Sequence, residues 1–399
     1  KSGFPQWEFD AEWLSPQTRG LYEPVFKEPK DYGKLLSDML SRPNICSKEW
    51  ITRQYDHEVQ GTSVIKPLVG VDRDMNSDAA VIRPVLNSEK GLVFSQALIP
   101  AYSAIDAYNM TACTIDEAVR RLLSVGGDWE HIGGVDNFCW PNIQYDPESN
   151  PDGKFKAAQL VRSCRAMREI CLKYGIPLLS GKDSMYVEGY LTGPYGESRK
   201  VSALETLQFS AIGVVEDVTK CVTMDCKIPG DAVYVLGMTR NELGASEYYE
   251  HFGYTGLNVP KVFPDEFILL YKALCRAVKE ELLASVHGIY RGGLGIHLAM
   301  AAMGGNLGMD ISLGAVPAEM VRRNDTMLFS ESAGRFVVTV DPAKQETFEK
   351  IFQGMPVSCV GQVSEKKNLL IRGIDGNTIL DVPVQELKTA WKKPFGDLI

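Results

Sequence analysis

The sequence has no CxxC pair, no HExxH, no GxSxG elbow and no protein-kinase signature set, so zinc-hydrolase and covalent serine or cysteine chemistry have no support. Its nine cysteines are an odd, scattered set. The nearest pairs, Cys164 with Cys171 and Cys221 with Cys226, fit neither zinc-ribbon nor redox spacing, which points to cytosolic thiols rather than disulfides. No apolar run approaches the ~20 residues of a membrane span. The opening KSGFPQWEFDAEW lacks a signal-peptide core. The expectation is a cytoplasmic protein with no membrane contact. Basic residues are the minority, 42 against 51 acidic, and a net charge of −9 repels a phosphate backbone, so no nucleic-acid partner is expected.

What remains is an ordinary globular composition, 45% apolar and 23% charged, over 399 residues. At ~150 residues per domain that makes two or three domains. The first residue is Lys1, not methionine, which suggests processing, trimming or a cut through a longer enzyme. Pro5, Pro16, Pro24 and Pro29 follow too closely for a helix to persist. Trp7, Phe9, Trp13, Tyr22 and Phe26 are too apolar as a group for solvent, so this lead-in reads as a wrapping segment buried against another unit.

KDYGKLLSDMLS then reads as a helix stopped at Pro43. AAVIRPV and GLVFSQALI read as strands, and Ile115 to Val125 as a helix. The clearest helix runs from Phe155 to Tyr174, with Leu160, Cys164, Met167 and Cys171 as its core-facing stripe and Gly175 as its stop. IPLLS is a short, continuously apolar run of the kind a covered strand shows. TLQFSAIGVV and DAVYVLG are further strands flanking a boundary near residues 216 to 231. Helices from Asp265 to Leu283 and from Gly292 to Met303 follow, with strands at 335–340, 357–363 and 368–372. No short repeat is present. The expected division is a lead-in over 1–65, a first domain over 66–220, a second over 221–375 and a tail over 376–399.

Three motifs could carry chemistry. GVDNFCWPN, read as a loop between helices, offers either a ligand-binding loop or a turn in which Asp136 and Asn142 cap backbone groups. SGKDSMYVE is placed just past the carboxyl end of the IPLLS strand, where open α/β sheets bind ligands. There Gly181 allows close approach, and Lys182, Asp183 and Ser184 offer a cation, a Mg²⁺ ligand and a hydroxyl. A plain surface turn is the alternative, and a P-loop is not supported, because the spacing is wrong and Asp183 replaces the required Ser/Thr. Gly292 and Gly293 of RGGLGIHLAM open a helix, as an anion site or, preferably, for close packing. Asp72, Asp74 and Asp78 form a cation site or, preferably, a solvated loop. The five histidines read as structural.

In combination these motifs are specific. DNFCWPN, a helix, IPLLSGKDSMY, LQFSAIGVVEDVTK, and later VHGIYRGGLGIHLA, SESAGRFVVTV and VGQV occur in an order that resembles the carboxyl-terminal half of the synthase region of phosphoribosylformylglycinamidine synthase. SRPNICSKEWITRQYDHEVQ resembles the lead-in to that half, and the likeness spans roughly residues 35 to 375. It implies an α/β (α+β) fold, a two-domain unit similar to aminoimidazole ribonucleotide synthase, with a first mixed-sheet domain and a second α/β sandwich domain. It further implies an ATP-dependent carbon–nitrogen ligase of purine biosynthesis with Mg²⁺ as cofactor, inactive alone. Formylglycinamide ribonucleotide would be activated by the ATP γ-phosphoryl group and attacked by glutamine-derived ammonia. The implied partners are the amino-terminal half of the synthase, a glutaminase domain or subunit, and optionally a second copy in a dimer. The alternatives are a complete relative of the same architecture, such as aminoimidazole ribonucleotide synthase, thiamine-monophosphate kinase or selenophosphate synthase, or a non-catalytic scaffold half.

By the resemblance, Asp136 and Gly181 contact nucleotide and Ser184 contacts substrate. Lys182 stands where small-subunit relatives carry a Mg²⁺-binding asparagine, and a protonated lysine cannot ligate a cation. Either Asp183 compensates or Lys182 meets phosphate directly. The family's catalytic histidine belongs to the half that is not here, and neither His57 nor His131 matches it. An auxiliary Mg-nucleotide of large relatives maps to Asp78, Glu117, Arg121, Gly288 and Tyr290. The last three have lost the family's chemistry, leaving Asp78 and Glu117 as remnant metal ligands and implying that the auxiliary nucleotide is absent.

Overall fold

A computed structural model describes residues 7–398, so Lys1 and Pro5 lie outside the described residues. In chain order the first part contains α1 (Tyr32–Leu40), α2 (Glu49–Thr52), β1 (Ser63–Ile65), β2 (Leu68–Val69), β3 (Met75–Asn76), β4 (Ala80–Ile82) and β5 (Gly91–Leu98). Then come α3 (Ala107–Ser124), β6 (Ile132–Cys139), α4 (Gly153–Tyr174), β7 (Leu178–Ser184), β8 (Glu188–Thr192), β9 (Ser198–Ser202) and β10 (Thr206–Val215). The main sheet runs β1-β4-β5-β10-β6-β7 and is antiparallel except for the parallel β6–β7 pair. Strand β10 is its centre, and its ten residues alternate between half-exposed and buried, so one face packs and the other stays open.

Helices α3 and α4 cover the packed face. Their contact is made by small and polar groups: Thr111 Oγ1 lies 2.5 Å from Ser163 Oγ, and Gln159 accepts from the Ala107 N–H at 3.0 Å. Such side chains let the two helix backbones approach closely. The expected α4 stripe is therefore corrected. Cys164 is exposed and Leu160 and Met167 only half-buried, while Ser163, Ala166, Ile170 and Tyr174 face the core with Cys171. Gly175 ends α4 in the left-handed region at φ 70°, as its position predicted.

The second part contains β11 (Ala232–Leu236), α5 (Glu247–His251), α6 (Pro264–Lys279), β12 (Ser285–Gly288), α7 (Gly293–Gly305), β13 (Gly308–Ser312), α8 (Asn324–Phe329) and β14 (Phe336–Val340). It closes with α9 (Gln345–Ile351), β15 (Val357–Ser364), β16 (Asn368–Arg372), β17 (Thr378–Pro383) and α10 (Val384–Lys392). Its seven strands run β12-β14-β11-β15-β13-β16-β17, with β13–β16 the one parallel pair. Helix α7 is buried nearly all round, which its Gly/Ala/Leu/Met composition permits. The last residues are folded in: β17 extends this sheet, and Trp391 of α10 is buried with its indole N–H on the Ile45 carbonyl at 3.0 Å. No helix among the described residues is long and apolar enough to cross a membrane.

The two parts meet across α3. Arg120 is held by Asp116 at 2.7 Å and donates to the Ile289 carbonyl at 2.5 Å, while Asp116 also accepts from Tyr174 at 2.7 Å and Tyr271 at 2.5 Å. The lead-in is divided. Trp13 stacks on Phe155 at 5.6 Å and Phe26 on Tyr254 at 5.5 Å, whereas Trp7, Phe9 and Tyr22 are exposed.

Candidate functional site

GVDNFCWPN is not a loop. Residues up to Cys139 form β6, where buried and half-exposed positions alternate regularly. Asp, Asn and paired glycines are poor strand formers, and pairing to β10 on one side and β7 on the other overrides them. Trp140 ends the strand, fully buried, with its indole on the Lys156 carbonyl at 3.1 Å. Asn142 does cap, accepting from the Gln144 N–H at 2.8 Å, whereas Asp136 meets only its own backbone N–H.

SGKDS is likewise inside β7 rather than beyond it, and β7 is an exposed edge strand, not a covered one. Leu178 and Leu179 are 44% and 61% exposed. This apolar run on an edge strand is left exposed by the described residues.

The β6–β7 register pairs Asp136 with Gly181 and Asn137 with Lys182, so the expected site residues divide between two faces of the sheet. Asp136, Gly181 and Asp183 lie on the helix side. A Cβ on Gly181 would stand 2.9 and 3.0 Å from the two carboxylate oxygens of Asp136, so only glycine leaves that carboxylate room. Burial first, then the neighbouring Asp183 charge, push the Asp136 carboxyl above its usual range, opposed only by its own backbone N–H. On α4, burial and then the Asp136 charge push the Cys171 thiol up to about 12. Two carboxylates left without a compensating cation are a donor set of hard oxygens that fits Mg²⁺.

Lys182 and Ser184 lie on the open side, with the lysine ammonium in contact with the serine hydroxyl. An amide row that sequence reasoning missed continues from them across the sheet. Asn137 donates to Gln208 Oε1 at 3.2 Å, and Gln208 donates to Gln96 Oε1 at 3.2 Å and Ser210 Oγ at 2.9 Å. Only the alternation of TLQFSAIGVV hinted at it, by putting Gln208 and Ser210 on one face.

Asp78 and Glu117 are elsewhere, at a cavity of about 580 Å³ between the two parts that Arg121, Tyr290, Arg291, His287 and Gln208 also line. Asp72 is exposed, as a solvated loop would have it, whereas Asp74 is buried, and lysines already pair with both: Lys388 meets them at 2.7 and 2.8 Å, and Lys392 meets Asp74 at 2.7 Å. The Gly292 N–H is taken by Glu331 at 2.7 Å, and a Cβ on Gly293 would stand 2.6 Å from the Ser330 carbonyl oxygen, so these glycines serve packing.

The order of the two sheets, and the helices laid on them, define the architecture of the aminoimidazole ribonucleotide (AIR) synthase related proteins. The family's N-terminal domain matches residues 76–195 and its C-terminal domain residues 229–373, together about two thirds of the chain. The chain belongs to this family, with both domains in order. Within it, the chain is similar to phosphoribosylformylglycinamidine synthase subunit PurL. It is 30% identical to that of Thermoplasma acidophilum over 92% of this chain and 45% of the relative. It is 32% identical to that of Methanothrix thermoacetophila over 96% of this chain and 47% of the relative. The chain thus spans about half the length of the curated relatives it matches. Among solved structures, Thermotoga maritima PurL complexed with FGAR shares the fold with a TM-score of 0.66 at 20% identity, covering 91% of this chain and 54% of that one.

Proposed function

We propose that the chain is the carboxyl-terminal half of a cytoplasmic phosphoribosylformylglycinamidine synthase and supplies one wall of a composite site for ATP and formylglycinamide ribonucleotide. The observation that carries this reading is the edge pair β6–β7: bare apolar residues beside Asp136, Gly181, Lys182, Asp183 and Ser184, in a chain about half as long as its relatives. The absent cover is then an amino-terminal half, with ammonia delivered from a glutaminase domain or subunit.

In this reading Gly181 lets nucleotide approach Asp136, and Asp136 with Asp183 would hold Mg²⁺, which when bound neutralises phosphate charge. Lys182, on the opposite face of the edge strand, is a fixed cation on the substrate's side beside Ser184 and cannot replace the metal ligand. Its contact orients Ser184, whose hydroxyl binds substrate. Most of the catalysis is positioning, with the attacking ammonia and the activated amide brought together by both halves.

The test mixes this chain with its amino-terminal half, ATP, Mg²⁺, ammonium and formylglycinamide ribonucleotide. Turnover is expected only in the mixture. Amidine formation by this chain alone, or by the other half alone at the same rate, would overturn the reading.

A further inference from the structure

We infer that Asp78 and Glu117 do not hold a metal ion: Asp78 is the acceptor of a protein-internal clasp that fastens the first part of the chain to the second, and Glu117 backs it by holding Arg121 against Tyr290. The clasp is independent of the reaction proposed above, and its parts are all in contact.

Asp78, two residues before β4, is buried and takes three donors from the end of β12 and the turn that follows it. His287 Nδ1 lies 2.8 Å from Oδ2, and the Tyr290 hydroxyl donates to Oδ1 at 2.5 Å, with the Gly288 N–H at 3.4 Å. Little of the carboxylate's acceptor capacity is left over. Glu117 Oε1 accepts from both Nε and Nη2 of Arg121, at 2.9 and 2.8 Å. The guanidinium of Arg121 lies 4.1 Å from the centre of the Tyr290 ring, and that of Arg120 lies 5.0 Å away. A divalent cation between Asp78 and Glu117 would therefore meet the fixed charge of Arg121 and the body of Tyr290. Residues 288 and 290 are fitted to each other: a Cβ on Gly288 would stand 2.1 Å from the Tyr290 hydroxyl.

The contacts continue past Asp78 into α7: His287 Nε2 lies 2.8 Å from His297 Nδ1, and His297 Nε2 lies 3.2 Å from the Arg291 carbonyl oxygen. Burial acts to raise the Asp78 carboxyl, but the charge and hydrogen bond of His287, with Arg121 behind, outweigh it and hold the group below its usual range. Burial, then the charges of His287 and Arg121, push His297 down. The charged and titratable groups facing the two rings are Asp78, Glu117, Arg120 and Arg121, Tyr290 and Arg291.

Two measurements test this. Mn²⁺ titration followed by electron paramagnetic resonance, with and without ADP, is expected to give the same spectrum in the wild type and in Asp78→Asn, and a bound Mn²⁺ signal lost in Asp78→Asn would overturn the clasp. A crystal of the wild type grown with Mg²⁺ and ADP is expected to show neither metal nor nucleotide beside Asp78 and Glu117, and finding either there would overturn the clasp even if the variant folds poorly.

Discussion

Replacing Gly181 by alanine separates a structural role from a functional one. The added methyl would stand 2.9 and 3.0 Å from the oxygens of Asp136, closer than ordinary contact, so carboxylate or strand must move by a few tenths of an ångström. Overpacking of this kind costs about 1–3 kcal/mol. Alanine recovers about 0.5–1 kcal/mol, because glycine within a strand is entropically unfavourable. The net cost is roughly 0–2.5 kcal/mol, at the low end here because β7 is an edge strand free to yield. Function is affected more strongly. A 1 Å misplacement of a positioned group costs about 10²-fold. Half that displacement at Asp136, together with a methyl in the approach path, is expected to lower kcat/KM for ATP by about tenfold or more. Urea unfolding of the chain and turnover in the two-half mixture measure the two effects. Unchanged kcat/KM in a folded Gly181→Ala would refute the nucleotide role of this glycine.

Three more outcomes follow from the geometry. Arg120→Met leaves the Asp116 charge buried with only its two tyrosine donors, and is expected to cost about 3–5 kcal/mol in urea unfolding. Burial acts to raise Asp74, but Lys388 and Lys392 outweigh it and hold the carboxyl below its usual value. A depressed carboxyl stabilises the fold above its unfolded pKa, and that contribution is lost as pH falls below about 4 through the depressed value. Asp74→Asn should therefore show lower stability at neutral pH and a shallower acid limb than the wild type. Leu179→Lys, on the exposed edge, should leave this chain's stability within about 0.5 kcal/mol, yet weaken its association with the amino-terminal half in sedimentation.

Elements with clean periodicity were legible from the residues alone. TLQFSAIGVV is β10 over its whole length, and the helix expected from Asp265 to Leu283 is α6, which ends earlier, at Lys279. Strand β6 was hidden because its Asp, Asn and two glycines carry a loop composition, and only the neighbours on both sides make it a strand. β7 was misplaced for the opposite reason: continuous apolarity signals cover, and among the described residues nothing covers it. The stripe of α4 misled because the packing surface uses Ser163 and Ala166, which hydropathy ranks low. Of the site, Gly181 and Asp136 could be named from motifs, but their pairing came from register. The contact of Asp78 with His287 spans 209 residues, and nothing local in the sequence encodes it.

The most direct test of the composite site is the Ser184→Ala chain in the two-half mixture. Loss of the hydroxyl that Lys182 orients is expected to raise KM for formylglycinamide ribonucleotide by about tenfold, the worth of a hydrogen bond to a charged or polar ligand. KM for ATP and the chain's urea midpoint should stay unchanged. Wild-type turnover with unchanged substrate KM would contradict the account.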